Sequence, residues 1–521
     1  KKVIKKLLAA LLAVAMVCAM AIPAFAYNPG ETEEDLNTKH DYGAFQIFTG
    51  DVSDDNTTIS NVGWGESIPN HEDFLEKLKE DLTIGNQFSN AKTAQDVLMV
   101  ISTWDDSDDD SIAFARFVCK YLYPTADAKP EPDDTGHTGG FEIRKPGYYL
   151  IVDISPFHED DFYHAYNSFL LKVTKAPYHV IIKHKVVKPT VEKEVYDNND
   201  IGSTGDNDGW HSSADHAINE PFQFRLIAKL PASKDNGRAY DYYDKYTVCF
   251  NDTLSAGITF DRWDTVVINN GGADIPIPAE NYYSDASNQD LTLSIEDVKT
   301  CAPGLNLNHG ATITVTYTAH LNDNATVNTA NGSNTTDNKN SVFLQYSNNP
   351  RINTSLDKTP TSEACVYTYQ LNNTKYHDEV NENNKLEGAG FRLYSNEACN
   401  DEDEIKLKKN NDGTYSRDFS TEGKGVEMLS NKDGQFNVKG LDAGTYYLKE
   451  TNPPTGYSAC KVTRVTIKAN HTNERVDLDG SNLSTTIINK KAGGITLPST
   501  GGIGTTIFYV VGGGLMVAAI V

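Results

Sequence analysis

The chain is 521 residues long, and its 46 Lys and Arg against 72 Asp and Glu give a formal net charge of −26 at pH 7. This length exceeds what one hydrophobic core organises, at roughly 150 residues per domain, and it predicts three or four domains. So acidic a chain is a poor match for nucleic-acid phosphates, and we expect no nucleic-acid partner. Tyr (27) outnumbers Phe (20), and Asn, Gly, Asp and Ser clusters recur, which favours short strands joined by turns.

The chain begins with the pattern of a secretory signal peptide. Four lysines, at positions 1, 2, 5 and 6, precede the apolar run 7–22, which Pro23 and the small-residue motif 24–26 (AFA) follow. This order predicts a signal peptide over residues 1–26, cut before Tyr27. We therefore expect an exported protein, in surroundings where disulfides can form.

Residues 27–185 predict a first domain of mixed character. The runs 44–48 (AFQIF) and 147–152 (GYYLIV) predict strands. Between them, apolar residues recur at a spacing near 3.6, as at Phe74, Leu78 and Leu82, which is typical of helices. The sequence therefore predicts a β domain with a helical insertion.

Residues 186–355 and 356–491 predict a second and a third domain, both β-sandwiches. Alternating runs bounded by Asn, Asp, Gly or Pro predict their strands. These runs are 222–226, 246–250, 312–317 and 342–346 in the second domain, and 391–394, 445–450 and 462–467 in the third. The predicted fold class is all-β, with three tandem Ig-like sandwiches.

The last segment, 492–521, contains a pentapeptide and an apolar run. Leu497-Pro498-Ser499-Thr500-Gly501 precedes 19 uncharged residues, 503–521, which predict a membrane-spanning helix. In an exported chain this order resembles the LPxTG sorting signal of Gram-positive surface proteins, which a sortase cysteine transpeptidase cuts between Thr and Gly. The resemblance implies that Thr500 becomes an acyl donor, that the membrane holds the chain only before sorting, and that peptidoglycan of the cell wall anchors it.

An acyl donor needs an amine acceptor, and the junction of the first two domains is rich in lysine. Residues 180–185 (VIIKHK) resemble the V-x-V-Y-P-K pilin motif of sortase-assembled shaft pilins, although Lys183 and His184 replace its Tyr and Pro. The resemblance implies Lys185 as the linkage residue and leaves Lys183 and Lys188 open. The neutral amine is the nucleophile, so the enzyme or neighbouring cations must assist deprotonation. Alternatively, these lysines only solvate a linker.

The third domain carries a second resemblance. Residues 447–457 (YLKETNPPTGY) resemble the E-box of CnaB-type domains, in which a Lys and an Asn form an isopeptide bond beside an acid. The resemblance implies Lys375 as nucleophile, Asn489 as electrophile and Glu450 as general acid/base. Desolvation would favour a neutral amine facing a protonated carboxyl, and ammonia would leave. The alternatives are an ordinary buried salt bridge or a surface Glu.

The second domain can be interpreted in the same way. The period of two along a strand puts Lys193 on the same face as Val191 and Val195. Residues 340–350 resemble the closing strand of fimbrial D2 domains, which implies Asn340 as the partner. Asp252 is the candidate acid, with Glu220 as the alternative, although an Asp in such a segment can also be only a turn former.

The first domain lacks the matching pattern, so we predict no cross-link there. After paired tyrosines like those before Glu450, its acid Asp153 comes one residue later, which places it on the opposite face of the strand.

Six cysteines lie outside the signal peptide, and pairs within one domain are the simplest expectation. We expect a Cys399–Cys460 disulfide in the third domain and a Cys249–Cys301 disulfide in the second, with Cys119 a buried free thiol. The chain shows no CxxC or Cys-His metal spacing, GxSxG, P-loop or dinucleotide fingerprint. We expect no metal, no cofactor and no enzymatic turnover.

These features together resemble a shaft (backbone) pilin of a sortase-assembled fimbria. The resemblance implies a covalent polymer of the chain on the cell surface, with sortase and peptidoglycan as further partners. An alternative is a minor wall-anchored adhesin that binds a host protein or glycan. A surface hydrolase is a third class, but no nucleophile, base and acid set can be assembled from the motifs.

Overall fold

The structure is a computed structural model that describes residues 40–492, apart from 56–58, 105–107, 126–127, 138–139, 156–167, 181–187, 198–208, 234–237, 288, 330–337, 420–424, 473 and 479–482. The predicted signal peptide, Lys183, Lys185 and the sorting signal lie outside these residues. Within the described part, no helix has both the length and the apolar character needed to cross a membrane. The apolar run 503–521 also lies outside it.

The first domain combines sheet and helices. Its strands are β1 (Asp41–Val52), β2 (Ile59–Trp64), β3 (Asp134–His137), β4 (Phe141–Ile143), β5 (Gly147–Asp153), β6 (Ser168–Val173) and β7 (Tyr178–Val180). Its helices are α1 (His71–Glu80), α2 (Ala94–Ile101) and α3 (Asp109–Leu122), with a 3₁₀ turn at Gly85–Phe88. The main sheet has the order β2-β1-β5-β6, β3 also pairs with β1, and β4 pairs with β7.

The helices of this domain pack against its sheet and against one another through their apolar faces, as the spacing predicted. Phe74 and Leu78 of α1 are buried in a core that α2, α3 and the sheet share. The apolar spacing extended to Leu82, but α1 ends at Glu80 and Leu82 is fully exposed. The helix stops there because the Asp81 carboxylate accepts hydrogen bonds from the next backbone N–H groups and starts a turn.

The second domain contains two facing sheets. Its strands are β8 (Thr190–Tyr196), β9 (Trp210–His211), β10 (Ser213–Asp215), β11 (Pro221–Leu230), β12 (Val248–Leu254), β13 (Ile258–Asn269), β14 (Ile275–Pro276), β15 (Tyr283–Ser287), β16 (Asp290–Ile295), β17 (Ala311–Leu321), β18 (Lys339–Ser347), β19 (Leu356–Lys358) and β20 (Ser362–Tyr367). Three 3₁₀ turns are Ala239–Tyr242, Ala279–Asn281 and Leu307–His309. One sheet has the order β14-β13-β17-β11-β8-β9; the other has β10-β20-β18-β12-β16-β15, with β19 on β18.

The third domain is a second sandwich. Its strands are β21 (Tyr369–His377), β22 (Gly390–Tyr394), β23 (Glu404–Ile405), β24 (Leu407–Lys409), β25 (Tyr415–Arg417), β26 (Met428–Leu429), β27 (Val438–Leu441), β28 (Gly444–Asn452), β29 (Tyr457–Ser458), β30 (Thr463–Ile467), β31 (Ala469–His471), β32 (Val476–Leu478) and β33 (Ser484–Lys491), with 3₁₀ turns at Glu382–Asn384 and Asp401–Asp403. Its sheets are β24-β25-β27-β21-β33-β29 and β23-β22-β28-β30, with β26 on β22 and a separate β31-β32 pair.

The chain divides into two compact units. Most of the chain up to residue 366 forms the first, and most of the chain from 367 onward forms the second. The sequence placed the start of the third domain at 356, whereas β19 and β20 pair with β18. Residues 356–366 therefore complete the second sandwich.

The two predicted disulfides are corrected by the structure, in which no disulfide joins any of the six cysteines of the described residues. Cys460 donates its backbone N–H to Glu450 on β28, whereas Cys399 lies in the turn after β22, where its backbone N–H donates to the Asn396 carbonyl oxygen. The two cysteines therefore have different surroundings, and no bond joins them.

The second predicted disulfide, Cys249–Cys301, is also absent from the structure. The Cys249 thiol lies on the outer face of β12, where Asn251 Nδ2 donates to it at 3.7 Å. Cys301 follows β16 in a loop held by Asn281. In the first domain, Cys119 is a buried free thiol on α3, as predicted.

Candidate functional site: two buried clusters of lysine, amide and acid

The first cluster lies in the core of the third domain. Lys375 lies on β21 and Asn489 on β33, and these parallel neighbours pair Lys375 with Ile487 and His377 with Asn489. Lys375 and Asn489 are therefore diagonal neighbours on one face of the sheet. Glu450 reaches them from β28 in the facing sheet.

The three functional groups of this cluster contact one another. Lys375 Nζ lies 2.5 Å from Asn489 Oδ1 and 3.6 Å from Glu450 Oε1. Asn489 Nδ2 donates to the same Glu450 oxygen at 2.7 Å. Lys375 and Asn489 are 0% exposed and Glu450 is 7% exposed. The structure thus brings together the three residues that the sequence resemblance indicated.

Burial is the main influence on the Lys375 amine. It lowers the pKa of Lys375, although the Cys460 thiol and the Glu450 carboxylate act in the opposite direction. Burial likewise raises the pKa of Cys460 to about 11, against the opposing effect of Lys375. A lowered pKa increases the neutral fraction of the amine, which is the form that attacks a carbonyl carbon.

The second cluster lies between the two sheets of the second domain. Lys193 on β8 and Tyr317 on β17 belong to one sheet, and Asp252 on β12 and Asn340 on β18 belong to the other. Strands β12 and β18 pair with Leu254 opposite Asn340, so Asp252, two residues away, lies on the same face. The burial pattern of β8 confirms that Lys193 faces the core with its two valine neighbours.

Hydrogen bonds connect this cluster continuously. Lys193 Nζ lies 2.6 and 2.7 Å from the two Asp252 oxygens and 3.2 Å from Tyr317 Oη. Tyr317 Oη donates to Asp252 Oδ2 at 2.6 Å and accepts from Asn340 Nδ2 at 2.5 Å. None of the four residues is more than 2% exposed. Asn340 Oδ1 is buried with no hydrogen-bond partner among the described residues.

Burial also dominates the titration of Lys193. It lowers the pKa of Lys193 to about 8, although Asp252 opposes the shift. The rings of Phe224 and Tyr317 lie 5.0 and 5.4 Å from Nζ. About half of this amine would be neutral near pH 8, whereas an exposed lysine is almost wholly charged there.

Each cluster contains the groups needed for one acyl transfer within the chain. An amine can attack the carboxamide carbon, and an acid can carry a proton from the amine to the departing nitrogen. As an ion pair alone, a buried lysine and carboxylate recover little more than the free energy lost when both leave water. Reaction would remove both the ammonium and its desolvation penalty, because an amide is neutral.

Two other acids that the sequence singled out have different partners. Glu220, the alternative acid of the second domain, pairs with Arg417 at 3.3 Å. In the first domain, the buried Asp153 accepts hydrogen bonds from His40 Nδ1 and Ser155 Oγ, both at 2.7 Å. The absence of a cross-link in the first domain stays a prediction.

Two further residues, Tyr317 and Cys460, contact the clusters and were not predicted from the sequence. The run 312–317 predicted a strand, but nothing in the sequence indicated that the Tyr317 hydroxyl lies between the acid and the amide. Cys460 was assigned to a disulfide, whereas its backbone N–H donates to Glu450 Oε2 at 2.8 Å. Both contacts depend on how separate strands face each other, which strand periodicity does not reveal.

Comparison with known proteins gives one family match. Residues 370–482 match the model of the SpaA family, described as a prealbumin-like fold domain, so the third domain is similar to that family. No curated protein matches the chain.

Solved structures with a similar fold include three pilins. The T6 backbone pilin of serotype M6 Streptococcus pyogenes is 16% identical, with 88% of this chain and 97% of that chain covered and a TM-score of 0.47. The major pilin SpaD of Corynebacterium diphtheriae is 18% identical, with 71% of this chain and 84% of that chain covered and a TM-score of 0.44. A 35 kDa C-terminal fragment of the major pilin GBS80 of Streptococcus agalactiae is 18% identical, with 58% of this chain and 100% of that chain covered and a TM-score of 0.41.

Proposed function

We propose that this chain is the shaft subunit of a covalent fibre on a Gram-positive cell surface. Sortase joins Thr500 of one copy to a junction lysine of the next, with Lys185 favoured, and the finished fibre is attached to peptidoglycan. One intramolecular amide, between Lys193 and Asn340, cross-links the second domain, and another, between Lys375 and Asn489, cross-links the third. The observation that carries the proposal is the presence of two separately built clusters with the same three reacting groups.

The positions of the clusters suit a subunit that bears tension. In the third domain the amide would join the first strand, β21, to the last, β33. In the second domain it would join the first strand, β8, to β18, near the domain's end. A pull along the chain would then pass through covalent bonds, and the hydrogen bonds of each sheet would not have to carry it.

The clusters also favour a structural protein over an enzyme with turnover. Each amine and each carboxamide is consumed once, and the product stays part of the core. The buried groups are reached by no external substrate, because Lys193, Lys375, Asn340 and Asn489 are all 2% exposed or less. Asp252 and Glu450 act once per chain.

The linkage between copies is tested by the size of the cell-surface product. In a host that carries the matching sortase, the wild-type chain should give a ladder of multimers resistant to sodium dodecyl sulfate. Lys185→Arg keeps the charge but removes the primary amine, so we expect monomers only. Lys229→Arg is the matched control, since Lys229 is an exposed lysine on β11, outside the junction, and it should leave the ladder intact.

Two outcomes would contradict this function. Monomers linked only to peptidoglycan in the wild type would favour the wall-anchored adhesin. A wild-type ladder that persists after Thr500→Ala would show that the pentapeptide is not the acyl donor.

A further inference from the structure

The two clusters differ in what lies between the acid and the amide. In the third domain, Asn489 Nδ2 donates directly to Glu450. In the second domain, Asn340 Nδ2 donates to Tyr317 Oη, and the same hydroxyl donates to Asp252. The phenol therefore occupies the path that a proton must follow from the acid to the leaving nitrogen.

We infer that Tyr317 is a catalytic residue that relays a proton from Asp252 to Asn340 while the Lys193–Asn340 amide forms. The inference rests on the proposed function, because it assigns a role within that reaction. It distinguishes a relayed mechanism in the second domain from a direct one in the third.

The protons and electrons of this reaction balance without any reactant from outside the chain. Asp252 first takes a proton from the Lys193 ammonium, which frees the amine. As Nζ bonds to Asn340 Cγ, Asp252 gives that proton to Tyr317 Oη while Tyr317 gives its own to Nδ2. The Cγ–Nδ2 bond breaks with its electron pair on the departing ammonia, and Asp252 takes a second proton from Nζ. The products are an amide, ammonia and protonated Asp252, with Tyr317 unchanged.

A tyrosine in these surroundings suits a relay. Its neutral hydroxyl accepts from one partner while donating to another, which neither a carboxylate nor an ammonium can do. Burial and the nearby Asp252 hold its pKa well above the usual value, so the hydroxyl keeps its proton until it is replaced. The centres of the Phe224 and Trp263 rings each lie 5.5 Å from the centre of the Tyr317 ring, and these two rings hold the phenol in position.

The test compares both cross-links in the same full-length molecule. Tyr317→Phe removes one oxygen and leaves the ring packing in place. After synthesis in a cell-free system, peptide mapping over time should show the Lys193–Asn340 amide forming on the order of 100-fold more slowly than in the wild type. The Lys375–Asn489 amide should form at the wild-type rate. Tyr246→Phe is the matched control, since Tyr246 is a fully buried tyrosine of the same domain, and it should leave both rates unchanged.

A second variant keeps the test decisive if Tyr317→Phe does not fold. Fluorotyrosine placed only at position 317 keeps the shape and the hydroxyl but makes the phenol more acidic, so a relay predicts a changed rate in the second domain only. An unchanged rate with fluorotyrosine, or full cross-linking in a folded Tyr317→Phe chain, would overturn the relay. A wild-type chain that never forms the Lys193–Asn340 amide would instead overturn the proposed function of this domain.

Discussion

Replacing Glu450 by Gln should leave the third domain without its amide and much less stable. Gln keeps the shape of the side chain but cannot take a proton from Lys375 or pass one to Asn489. The amide closes a loop of 114 residues, and the loop-closure argument used for disulfides gives about 5 kcal/mol for such a ring. For a domain of this size we expect a melting temperature lower by roughly 15–25 °C. The buried Lys375, left without a carboxylate, adds to the loss.

Melting followed by hydrogen exchange of third-domain peptides measures this effect within the whole chain. Glu427→Gln is the matched control, because Glu427 accepts a hydrogen bond from Thr451 outside the cluster and should melt like the wild type. A Glu450→Gln chain that carries the amide, or that melts with the wild type, would show that Glu450 has no part in the reaction.

Under mechanical load, Asn340→Ala should turn the second domain from inextensible to extensible. The substitution removes the carboxamide but keeps the Lys193–Asp252 ion pair, so the domain still folds at rest. Without the amide, force unfolds the sandwich and releases the segment between residues 193 and 340. At about 3.4 Å for each of these roughly 150 residues, the chain should lengthen by about 500 Å.

Single-molecule pulling from both ends of the described chain records this lengthening as one step. Asn251→Ala is the matched control, since Asn251 lies on the outer face of β12 and binds Gln345, and it should show no such step. A wild-type chain that releases the same length would contradict an amide in the second domain.

Strand periodicity and local motifs predicted most of the fold and six residues of the two buried clusters, Lys193, Asp252, Asn340, Lys375, Glu450 and Asn489. Lys193 could be assigned to the core because two valines share its face in a short alternating run. The resemblance to an E-box supplied Glu450, together with a lysine on the first strand and an asparagine on the last. All of these inferences need only the order of residues along single strands.

Contacts between strands far apart in sequence could not be predicted in the same way. The position of the Tyr317 hydroxyl depends on how β17 faces β12 and β18 across the sandwich. The pairing of Cys399 with Cys460 was wrong because Cys460 lies beside Glu450 of β28, a contact that strand periodicity does not reveal. The start of the third domain was placed too early because β19 and β20 return to pair with β18.

The mass of the mature wild-type protein tests the central claim most directly. Each amide releases one ammonia, so two should lower the intact mass by about 34 Da relative to the linear chain. Trypsin should then fail to cut after Lys193 and Lys375, and it should release branched peptides that join them to Asn340 and Asn489. A mass equal to that of the linear chain, with normal cleavage after both lysines, would contradict the account.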